Sequence, residues 1–451
     1  MSKFSPAAAT RAALTPLFCL LVVLLAERGG ANPIVELPLP TVGAAPEGMT
    51  FGPDGAFWFC EAIAGKIGRI ATNGVVTEYT LPAGLHCEPI SIVTGPDSNL
   101  WFTEYNAGRL GRITTNGTVT EFPLPAGIFP DGIALGADGR LWVTDFGGEI
   151  PATGVTTNGG IFAATIGGTN GLTGISYDNS NFTVGARPQN IISGPNGKLF
   201  FTEQAVGKIG TITTSGVITE TTTNQLATNC QPFDLITGPD GAVWFTEANS
   251  NKLGRIVPNF TTNLSDVTEY ALPTNSTGFT ADFPCGIIVG PDGNLWYTDP
   301  IASCVTRVAF TGTNLSLVTN VTVITNVSTN TTTNVIATQF FTPTTGSYPR
   351  RLAKGTDGNL WFGEFVGNYP AYVNNIGVFV TPVPLTIKPT TNSAVVLTWP
   401  TNFTAGFHLQ TNSDLATTNW GLATNIPVIV TNVYVVTNPA ASGNLFFRLL
   451  E

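Results

Sequence analysis

Carboxylate side chains are the groups in this sequence with the clearest potential for chemistry. One set recurs, because each member ends a short apolar motif that reads L-W-F-T-E or a variant of it. A second set varies between copies and stands close to the proline that begins each copy. Converging carboxylates can bind Ca²⁺ or Mg²⁺, and they can act as general acids or bases. The recurring set is Glu61, Glu104, Asp145, Glu203, Glu247, Asp299 and Glu364, and the variable set is Glu47, Glu88, Asp131, Asp234 and Asp282.

The recurring carboxylates have a structural interpretation, since a residue that every repeat keeps usually serves the repeat itself. We expect them to pair with nearby cations, namely Lys66 or Arg69, Arg109 or Arg112, Lys208, and Lys252 or Arg255. The variable set is the better candidate for ligand binding. Its predicted binding residues are Glu47, Asp131, Asp234 and Asp282, and the alternative is a set of solvated loop carboxylates without a role.

His86 is the one histidine within the repeats, and it stands in the run His86-Cys87-Glu88-Pro89. A histidine and a glutamate in one loop could act together as an acid–base pair. We therefore take His86 and Glu88 as the candidate catalytic residues. The alternative is a surface histidine without a role, and the second histidine, His408, is expected in a strand near the C-terminus.

The composition excludes several functional classes. Of 451 residues only 11% are charged, the formal net charge is −10, and no cluster of Lys and Arg occurs. Nucleic acids and anionic membranes are therefore poor partners. The apolar residues come in short runs, which predicts no membrane span. We expect a monomer that binds a small molecule or a cell-surface or extracellular ligand.

The first 31 residues have the pattern of a Sec-type signal peptide. Lys3 and Arg11 form a positive region, an apolar run covers 17–26, and Gly29-Gly30-Ala31 offers small residues for cleavage. The mature protein is therefore predicted to be secreted or periplasmic.

Seven copies of one unit run through most of the chain. Six contain a variant of P-x-x-I-x-x-G-P-D-G-x-L-W-F-T-E and a seventh is recognisable, with aromatic anchors spaced by 41 to 65 residues. A unit of about 42 residues with insertions is typical of a four-stranded propeller blade. A β-helix would need a much shorter period. The anchors are Trp58, Trp101, Trp142, Phe200, Trp244, Trp296 and Trp361.

The order of the strands predicts how the ring closes. Residues 34–40 resemble the fourth strand of a unit although they precede the first unit, and the seventh unit stops after its third strand. The N-terminal strand can therefore complete the last blade and cover its edge. We predict an all-β fold: a seven-bladed β-propeller over residues 32–384, closed by an N-terminal strand, and a small C-terminal β-sandwich over residues 385–451.

Five cysteines follow the predicted signal peptide, and an oxidising destination permits disulfides. From their places in the repeats we predict the pairs Cys60–Cys87, between adjacent blades, and Cys285–Cys304, within one blade. Cys230 would then stay free. A Cys87–Cys230 bond is the less favoured alternative, because it would have to cross the mouth of the ring.

The repeats resemble those of the streptogramin lyase family. The resemblance is carried by G-P-D-G-x-L-W-F-T-E, G-K-I-G-R-I and V-T-E-F-x-L-P, most clearly over residues 46–82, 87–125 and 232–273. It implies a metal-dependent elimination that opens a cyclic depsipeptide at a C–O ester bond without water. It also implies a general-base histidine, an assisting glutamate and Mg²⁺ on one face of the ring.

The corresponding positions of this chain hold other residue types. The resemblance places the two lyase histidines at Cys285 and Arg350, one glutamate at Tyr348, a second glutamate at Phe365 and a tyrosine at Glu47. Arginine stays protonated and cannot act as the base of an elimination. A cysteine could do so only as a thiolate outside a disulfide.

We therefore expect an exported, ligand-binding propeller that lacks the lyase residues, with Arg350 among the predicted binding residues. The cofactor stays open, and Mg²⁺ or Ca²⁺ at an acidic ring mouth are the candidates. Two enzymatic alternatives remain. One is a divergent metal-dependent C–O lyase built around His86, Glu88 and a metal ion, and the other is a lactonase-type hydrolase with carboxylate-bound Ca²⁺.

Overall fold

Tight turns connect the strands into antiparallel hairpins. The turn between the first and second strands of a unit begins with a glycine and has an Asp or Asn two residues later, as in Gly52-Pro53-Asp54. The computed structural model describes residues 34–150, 155–167, 171–178, 182–222, 225–258, 267–272, 283–309, 327–332, 335–344, 346–365, 375–379, 386–389, 394–400, 408–412, 421–422, 428–430, 433–439 and 446–450. The predicted signal peptide and Asp282 lie outside these residues. Within them the one helical element is a 3₁₀ turn, Pro195–Gly197, and no helix is long and apolar enough to cross a bilayer.

Seven separate antiparallel sheets repeat along the chain, and each is one blade. After β1 (Ile34–Pro38), blade 1 contains β2 (Pro46–Phe51), β3 (Phe57–Glu61), β4 (Lys66–Ile70) and β5 (Val76–Thr80). Blade 2 contains β6 (Pro89–Thr94), β7 (Leu100–Glu104), β8 (Arg109–Ile113) and β9 (Val119–Pro123). Blade 3 contains β10 (Pro130–Leu135), β11 (Leu141–Asp145), the small hairpin β12 (Glu149–Ile150) and β13 (Val155–Thr156), and then β14 (Gly160–Ile166) and β15 (Leu172–Asp178).

The remaining blades keep the same strand order. Blade 4 contains β16 (Pro188–Ser193), β17 (Leu199–Glu203), β18 (Lys208–Ile212) and β19 (Ile218–Glu220), and blade 5 contains β20 (Pro232–Thr237), β21 (Val243–Glu247), β22 (Lys252–Ile256) and β23 (Val267–Ala271). Blade 6 contains β24 (Ile287–Val289), β25 (Leu295–Asp299), β26 (Cys304–Ala309) and β28 (Val335–Phe341), with β27 (Val327–Thr332) as an added fifth strand. Blade 7 contains β29 (Pro349–Lys354), β30 (Leu360–Glu364) and β31 (Asn375–Phe379).

The N-terminal strand closes the ring, as predicted. β1 pairs with β31, so that Val35 lies opposite Val378 and Leu37 opposite Ile376. The seven first strands also contact one another in an unbroken circle, in the order β2, β6, β10, β16, β20, β24, β29 and back to β2. The seven-bladed propeller is therefore confirmed, and its first strands are the innermost.

In six blades the second strand is buried along its whole length because neighbouring blades cover both of its faces, and in blade 7 only Trp361 of this strand is half-buried. Its tryptophan is fixed by the preceding turn: Trp58 Nε1 donates to Asp54 at 3.0 Å, and Trp101 Nε1 donates to Asp97 at 2.9 Å. The glycine of the third strand is required by close packing. A Cβ at Gly111 would lie 2.0 Å from the Phe102 ring.

A threonine near the end of the second strand links most neighbouring blades. Thr144 Oγ1 accepts from the Gly132 amide at 2.8 Å in its own blade and donates to the Gln189 carbonyl at 2.7 Å in the next. Thr103, Thr202, Thr246 and Thr298 make the equivalent pair of contacts. Blade 1 has Cys60 at this position and blade 7 has Gly363.

The chain divides into two compact units, of which one spans Gly30–Thr381 and the other contains Pro382–Glu451. In the second unit one sheet has the order β32, β33, β37, β36 and another has the order β35, β34, β38. His408 begins β34, as expected. Packing of these sheets into a sandwich stays a prediction. Their strands are β32 (Thr386–Pro389), β33 (Ala394–Pro400), β34 (His408–Asn412), β35 (Gly421–Leu422), β36 (Val428–Val430), β37 (Val433–Pro439) and β38 (Phe446–Leu450).

Candidate functional site

A bulge at the start of the first strand builds the site. In six blades the register between first and second strands shifts after the initial proline, as between Pro46 and Met49 or between Pro349 and Leu352. The two residues after that proline, here called the bulge residues, therefore leave the regular ladder. Because the first strands are innermost, these side chains lie nearest the axis of the ring. They stand at the end of the ring where the first strands begin and the second strands end, here called the mouth.

Glycine at the second bulge position reflects crowding between inner strands. A Cβ at Gly48 would lie 2.4 Å from the Ile90 carbonyl oxygen, and one at Gly286 would lie 2.3 Å from that of Arg350. Blades without this glycine place polar side chains there instead. These are Ser91, Asn190, Asp234 and Arg351.

Arg350 and Glu47 form an ion pair that joins blades 7 and 1. Arg350 Nη1 lies 2.5 Å from Glu47 Oε1, and Glu47 is buried whereas the Arg350 side chain is a third exposed. The Arg350 guanidinium also lies over the rings of Phe365 and Phe233, at 5.5 and 5.7 Å from their centroids. The Glu47 carboxylate raises the pKa of Arg350, so this group is a permanent cation at the mouth.

Asp234 is held by donors from four blades. Arg351 Nη1 lies 3.4 Å from its carboxylate, and the amides of Ile287 and Leu235 donate to it at 3.1 and 2.8 Å. Asn190 Nδ2 donates to the same group. Burial raises the pKa of Asp234, while Arg351 and these hydrogen bonds oppose that rise. The group is an ordered part of the mouth.

Asp131 differs because its Oδ1 atom is buried without a hydrogen-bond partner among the described residues. Burial raises its pKa to about 7, and Glu47 and Glu88 add to that rise, whereas Arg351 and Arg350 oppose it. Four of the five predicted variable carboxylates, Glu47, Glu88, Asp131 and Asp234, therefore lie at the mouth, and so does the predicted Arg350. The fifth, Asp282, lies outside the described residues.

The catalytic role of His86 and Glu88 stays a prediction. No hydrogen bond or ion pair between described residues joins them, and His86 is exposed. Glu88 Oε2 instead accepts from Asn106 Nδ2 at 2.5 Å. Glu88 has a φ of 54°, a left-handed conformation that the following bulge imposes.

The ion pairs predicted for the recurring carboxylates are wrong. The first cation of the third strand pairs with a glutamate of the fourth strand, as in Lys66–Glu78 at 2.7 Å and Lys208–Glu220 at 2.8 Å. The register places two glutamates on the same face as Lys66, Glu61 directly opposite and Glu78 diagonally opposite. Glu61 is fully buried and burial disfavours its charged form, so the lysine pairs with the less buried Glu78. The second cation pairs with the turn aspartate, as in Arg69–Asp54, Arg112–Asp97 and Arg255–Asp240.

The recurring glutamates are buried acids beside those ion pairs. Burial raises the pKa of Glu61, Glu104, Glu247 and Glu364 to about 8 and that of Glu203 to about 9. No N–H or O–H donor of a described residue reaches Glu203, and its contact is with another carboxyl group, Glu220. Two carboxyl groups can share a hydrogen bond only when one is protonated. Glu203 is therefore the neutral partner.

In blades 3 and 6 the buried acid is an aspartate, and backbone amides donate hydrogen bonds to it. Asp145 accepts from the amides of Phe129 and Gly147 at 2.9 and 3.1 Å, and Asp299 accepts from the amide of Ala302 at 3.0 Å. The shorter side chain accepts from backbone amides of the loops beside the end of its strand. This set is structural, as expected, although its contacts differ from those predicted.

The predicted disulfides Cys60–Cys87 and Cys285–Cys304 are not formed. The five cysteines of the described residues are buried and form no disulfide. Cys60 and Cys87 pack in one apolar cluster with Trp58 and Phe102, so burial in the core takes the place of a bond. Burial also raises the pKa of Cys87, Cys230 and Cys285 to about 12.

The mouth does not fit the Mg²⁺ or Ca²⁺ that the sequence suggested. Among the described residues no group of three or more His, Cys, Asp and Glu side chains is arranged to hold a metal ion. The guanidinium groups of Arg350 and Arg351 place two positive charges among the carboxylates. The Asp234 oxygens are already taken by donors, so they are not free ligands.

The rim of the mouth carries exposed apolar side chains. They follow a second strand or precede a first strand, positions that all lie at the mouth end of the blades. Leu85 is 65% exposed and Val42 is 76% exposed. The full group is Val42, Ile63, Leu85, Val184, Ile301 and Tyr348.

Sequence reasoning missed Arg351, Asn190, Gln189 and Phe233 as parts of this site. Each occupies a bulge position, and that position was the available signal. None of the four is a carboxylate, and none stands at a position that the resemblance gives to a lyase residue.

Comparison with known proteins gives a consistent result. The model of the virginiamycin B lyase family matches residues 29–150 and 163–328. A virginiamycin B lyase of Nocardia farcinica is 50% identical over 44 residues, which is 10% of this chain and 15% of that protein. The match thus spans a small part of that relative's length.

Solved structures resemble the whole propeller. A streptogramin B lyase is 26% identical with a TM-score of 0.59, and the match covers 76% of this chain and 96% of that one. A catalytically inactive histidine-to-alanine variant of virginiamycin B lyase from Staphylococcus aureus, with quinupristin, is 28% identical with a TM-score of 0.59, covering 76% and 98%. From its repeats, its ring and these matches, the chain belongs to the virginiamycin B lyase family.

Proposed function

We propose that this protein is an exported member of the family that binds a small ligand at the mouth without cleaving it. The observation that carries the proposal is the pair of Arg350 with Glu47, which places a partly exposed cation between two aromatic rings at the axis. A guanidinium group in this setting is suited to hold polar groups of a ligand in its plane. The apolar rim would contact the less polar parts of the same molecule.

The state of two residues supports binding without elimination. The resemblance puts the lyase histidines at Cys285 and Arg350. Burial raises the pKa of the Cys285 thiol to about 12, and Arg350 is a cation held by Glu47. Neither group can accept a proton at neutral pH, and an elimination needs a base for the α-proton.

Export is part of the proposal because the N-terminal segment has the pattern of a signal peptide. Fractionation of producing cells tests it, since the mature protein should appear in the periplasm or the medium. Retention in the cytoplasm of a chain that still carries residues 1–31 would contradict export.

A small-molecule library screened by thermal shift tests ligand binding at the mouth. We expect compounds that raise the melting temperature of the wild-type protein and lose that effect in Arg350→Ala. Asp138→Asn, at the opposite end of blade 3, is the control and should keep the shifts. The absence of any such compound, or compounds that Arg350→Ala still binds equally, would contradict the proposal.

A further inference from the structure

Three polar atoms of the bulge residues are buried without a hydrogen-bond partner among the described residues. They are Asp131 Oδ1 in blade 3, Gln189 Oε1 in blade 4 and Arg351 Nε in blade 7. Asp131 is 5% exposed and Arg351 is 8% exposed. Nearly all buried polar atoms in folded proteins are paired with protein, water or a bound molecule. These three atoms therefore need partners that the described residues do not supply.

The three atoms belong to one region of the axis. Asp131 and Gln189 stand on adjacent inner strands that touch at Gly132, where a Cβ would lie 2.6 Å from the Gln189 carbonyl oxygen. The Arg351 guanidinium lies close enough to Asp131 to lower the pKa of its carboxyl group, although burial outweighs this effect. Glu47, Glu88 and Arg350 are the other charges acting on it.

The chemistry of these atoms defines what could fill the region. Asp131 Oδ1 and Gln189 Oε1 are acceptors and need two donors, whereas Arg351 Nε is a donor and needs one acceptor. A cation would meet Arg350 and Arg351, and an anion would meet Glu47, Asp131 and Asp234. The matching group is neutral, donates twice and accepts once. Two neighbouring hydroxyl groups have this property, because each both donates and accepts.

We propose that the axial region binds a vicinal pair of hydroxyl groups from a sugar or other polyol. One hydroxyl donates to Asp131 Oδ1, the other donates to Gln189 Oε1, and one of the two oxygens accepts from Arg351 Nε. The proposal rests on the ligand-binding function above and names the ligand class. Hydroxyl groups that bind here would replace water, and they would make the same hydrogen bonds to Asp131, Gln189 and Arg351 that water could make.

Saturation-transfer difference NMR of the full-length mature protein tests this assignment. The probes are glucose, galactose and myo-inositol, each compared with an O-methylated or deoxygenated analogue, and acetamide serves as a neutral group that is not a diol. We expect saturable binding of at least one polyol and weaker binding of its analogue. The loss of one hydrogen bond should weaken binding by about tenfold.

Two variants make the test specific. Asp131→Asn keeps the shape of the side chain and changes its hydrogen bonding, so it should weaken polyol binding by about tenfold. Asp138→Asn is the same substitution in the same blade at the opposite end, and it should leave binding unchanged. Melting temperatures of both variants confirm that they are folded.

Several results would overturn the proposal. They are binding of no polyol, equal binding by Asp131→Asn and the wild-type protein, and binding of acetamide in place of polyols. A crystal structure with ordered water as the sole partner of the three atoms in the presence of the polyols would do so as well. Library compounds that Arg350→Ala loses, together with no polyol binding, would leave the ligand-binding function standing and remove this ligand class alone.

Discussion

At the scale of single residues, buried glutamates beside Lys–Glu ion pairs make stability depend on pH. The pKa of Glu203 is about 9 in the folded protein, compared with about 4.5 for an ordinary glutamate. Between these values the unfolded chain is ionised while the folded protein holds the proton. Glu203 thus favours folding fully below about pH 4.5, and this contribution is lost as pH rises towards 9. Glu61, Glu104, Glu247 and Glu364 act in the same direction, with losses up to about pH 8.

Glu203→Gln should therefore stabilise the protein at high pH. The amide has the shape of the protonated acid and can still donate to Glu220, so the free energy of unfolding should change little at pH 5. At pH 9 it should rise by about 1–3 kcal/mol, the usual cost of an unsatisfied buried polar group. Urea unfolding at pH 5, 7 and 9 measures this difference.

Glu220→Gln is the matched control, because it removes the partner of Lys208 and leaves the buried acid in place. It should destabilise the protein at pH 7. A Glu203→Gln variant that is less stable than the wild-type protein at pH 9 would show that Glu203 is ionised when folded.

The sequence predicted part of the mouth at this scale. Glu47, Asp131 and Asp234 were predicted from their nearness to the repeat prolines, and Arg350 from the position that the resemblance gives to a lyase histidine. Arg350 pairs with Glu47, and both act on the Asp131 carboxyl group, while a role in ligand binding stays a prediction. Their partners could not be predicted because they come from other blades, as with Arg351 and Asp234, which are 117 residues apart. The pairing of Lys66 with Glu78 was missed because the register brings both Glu61 and Glu78 to this lysine, and burial of Glu61 decides between them.

At the scale of strands, the threonine contacts between blades join first and second strands of adjacent sheets. Thr144→Val removes the hydroxyl and leaves the Gly132 amide and the Gln189 carbonyl without this partner. We expect a loss of about 1–3 kcal/mol in the free energy of unfolding. Chemical denaturation at pH 7 measures it.

Thr144→Ser is the control, because it keeps the hydroxyl and removes a methyl group. It should lose clearly less stability than Thr144→Val. Equal losses in both variants would mean that packing of the methyl group, and not the hydrogen bonds, accounts for the role of Thr144.

The sequence predicted the strands well because their motifs repeat with turns of known chemistry. The bulge was not predicted, since it depends on how seven inner strands crowd around the axis. The disulfides were wrong for a related reason. Their positions in adjacent repeats correctly place Cys60 and Cys87 in one apolar cluster. A disulfide also requires a specific geometry of the two side chains, which position in a repeat does not define.

At the scale of the whole molecule, the propeller depends on β1 to cover the last blade. Glu36 of this strand accepts from the Thr344 amide at 2.7 Å and from its hydroxyl at 2.6 Å, and Ile34 is buried. A chain that begins at residue 39 should lose more than about 3 kcal/mol relative to one that begins at residue 32, since burial of Ile34 alone contributes about 1.5–3 kcal/mol.

Denaturant unfolding of these two chains, with limited proteolysis, measures that difference. The shorter chain should also be cut first in blade 7, where an open edge of β31 is left. Glu36→Gln is the milder comparison and should lose less. Equal stability of the two chains would contradict closure by β1.

The central claim is that the mouth holds a ligand through arginines and does not carry out the elimination that the resemblance implies. Incubation of the mature protein with a streptogramin B antibiotic and Mg²⁺, followed by chromatography, tests it most directly. The opened product has the same mass as the cyclic compound because no water is added, so retention time and fragmentation identify it. We predict that the antibiotic is recovered cyclic, and a linear product that depends on the protein would contradict the claim.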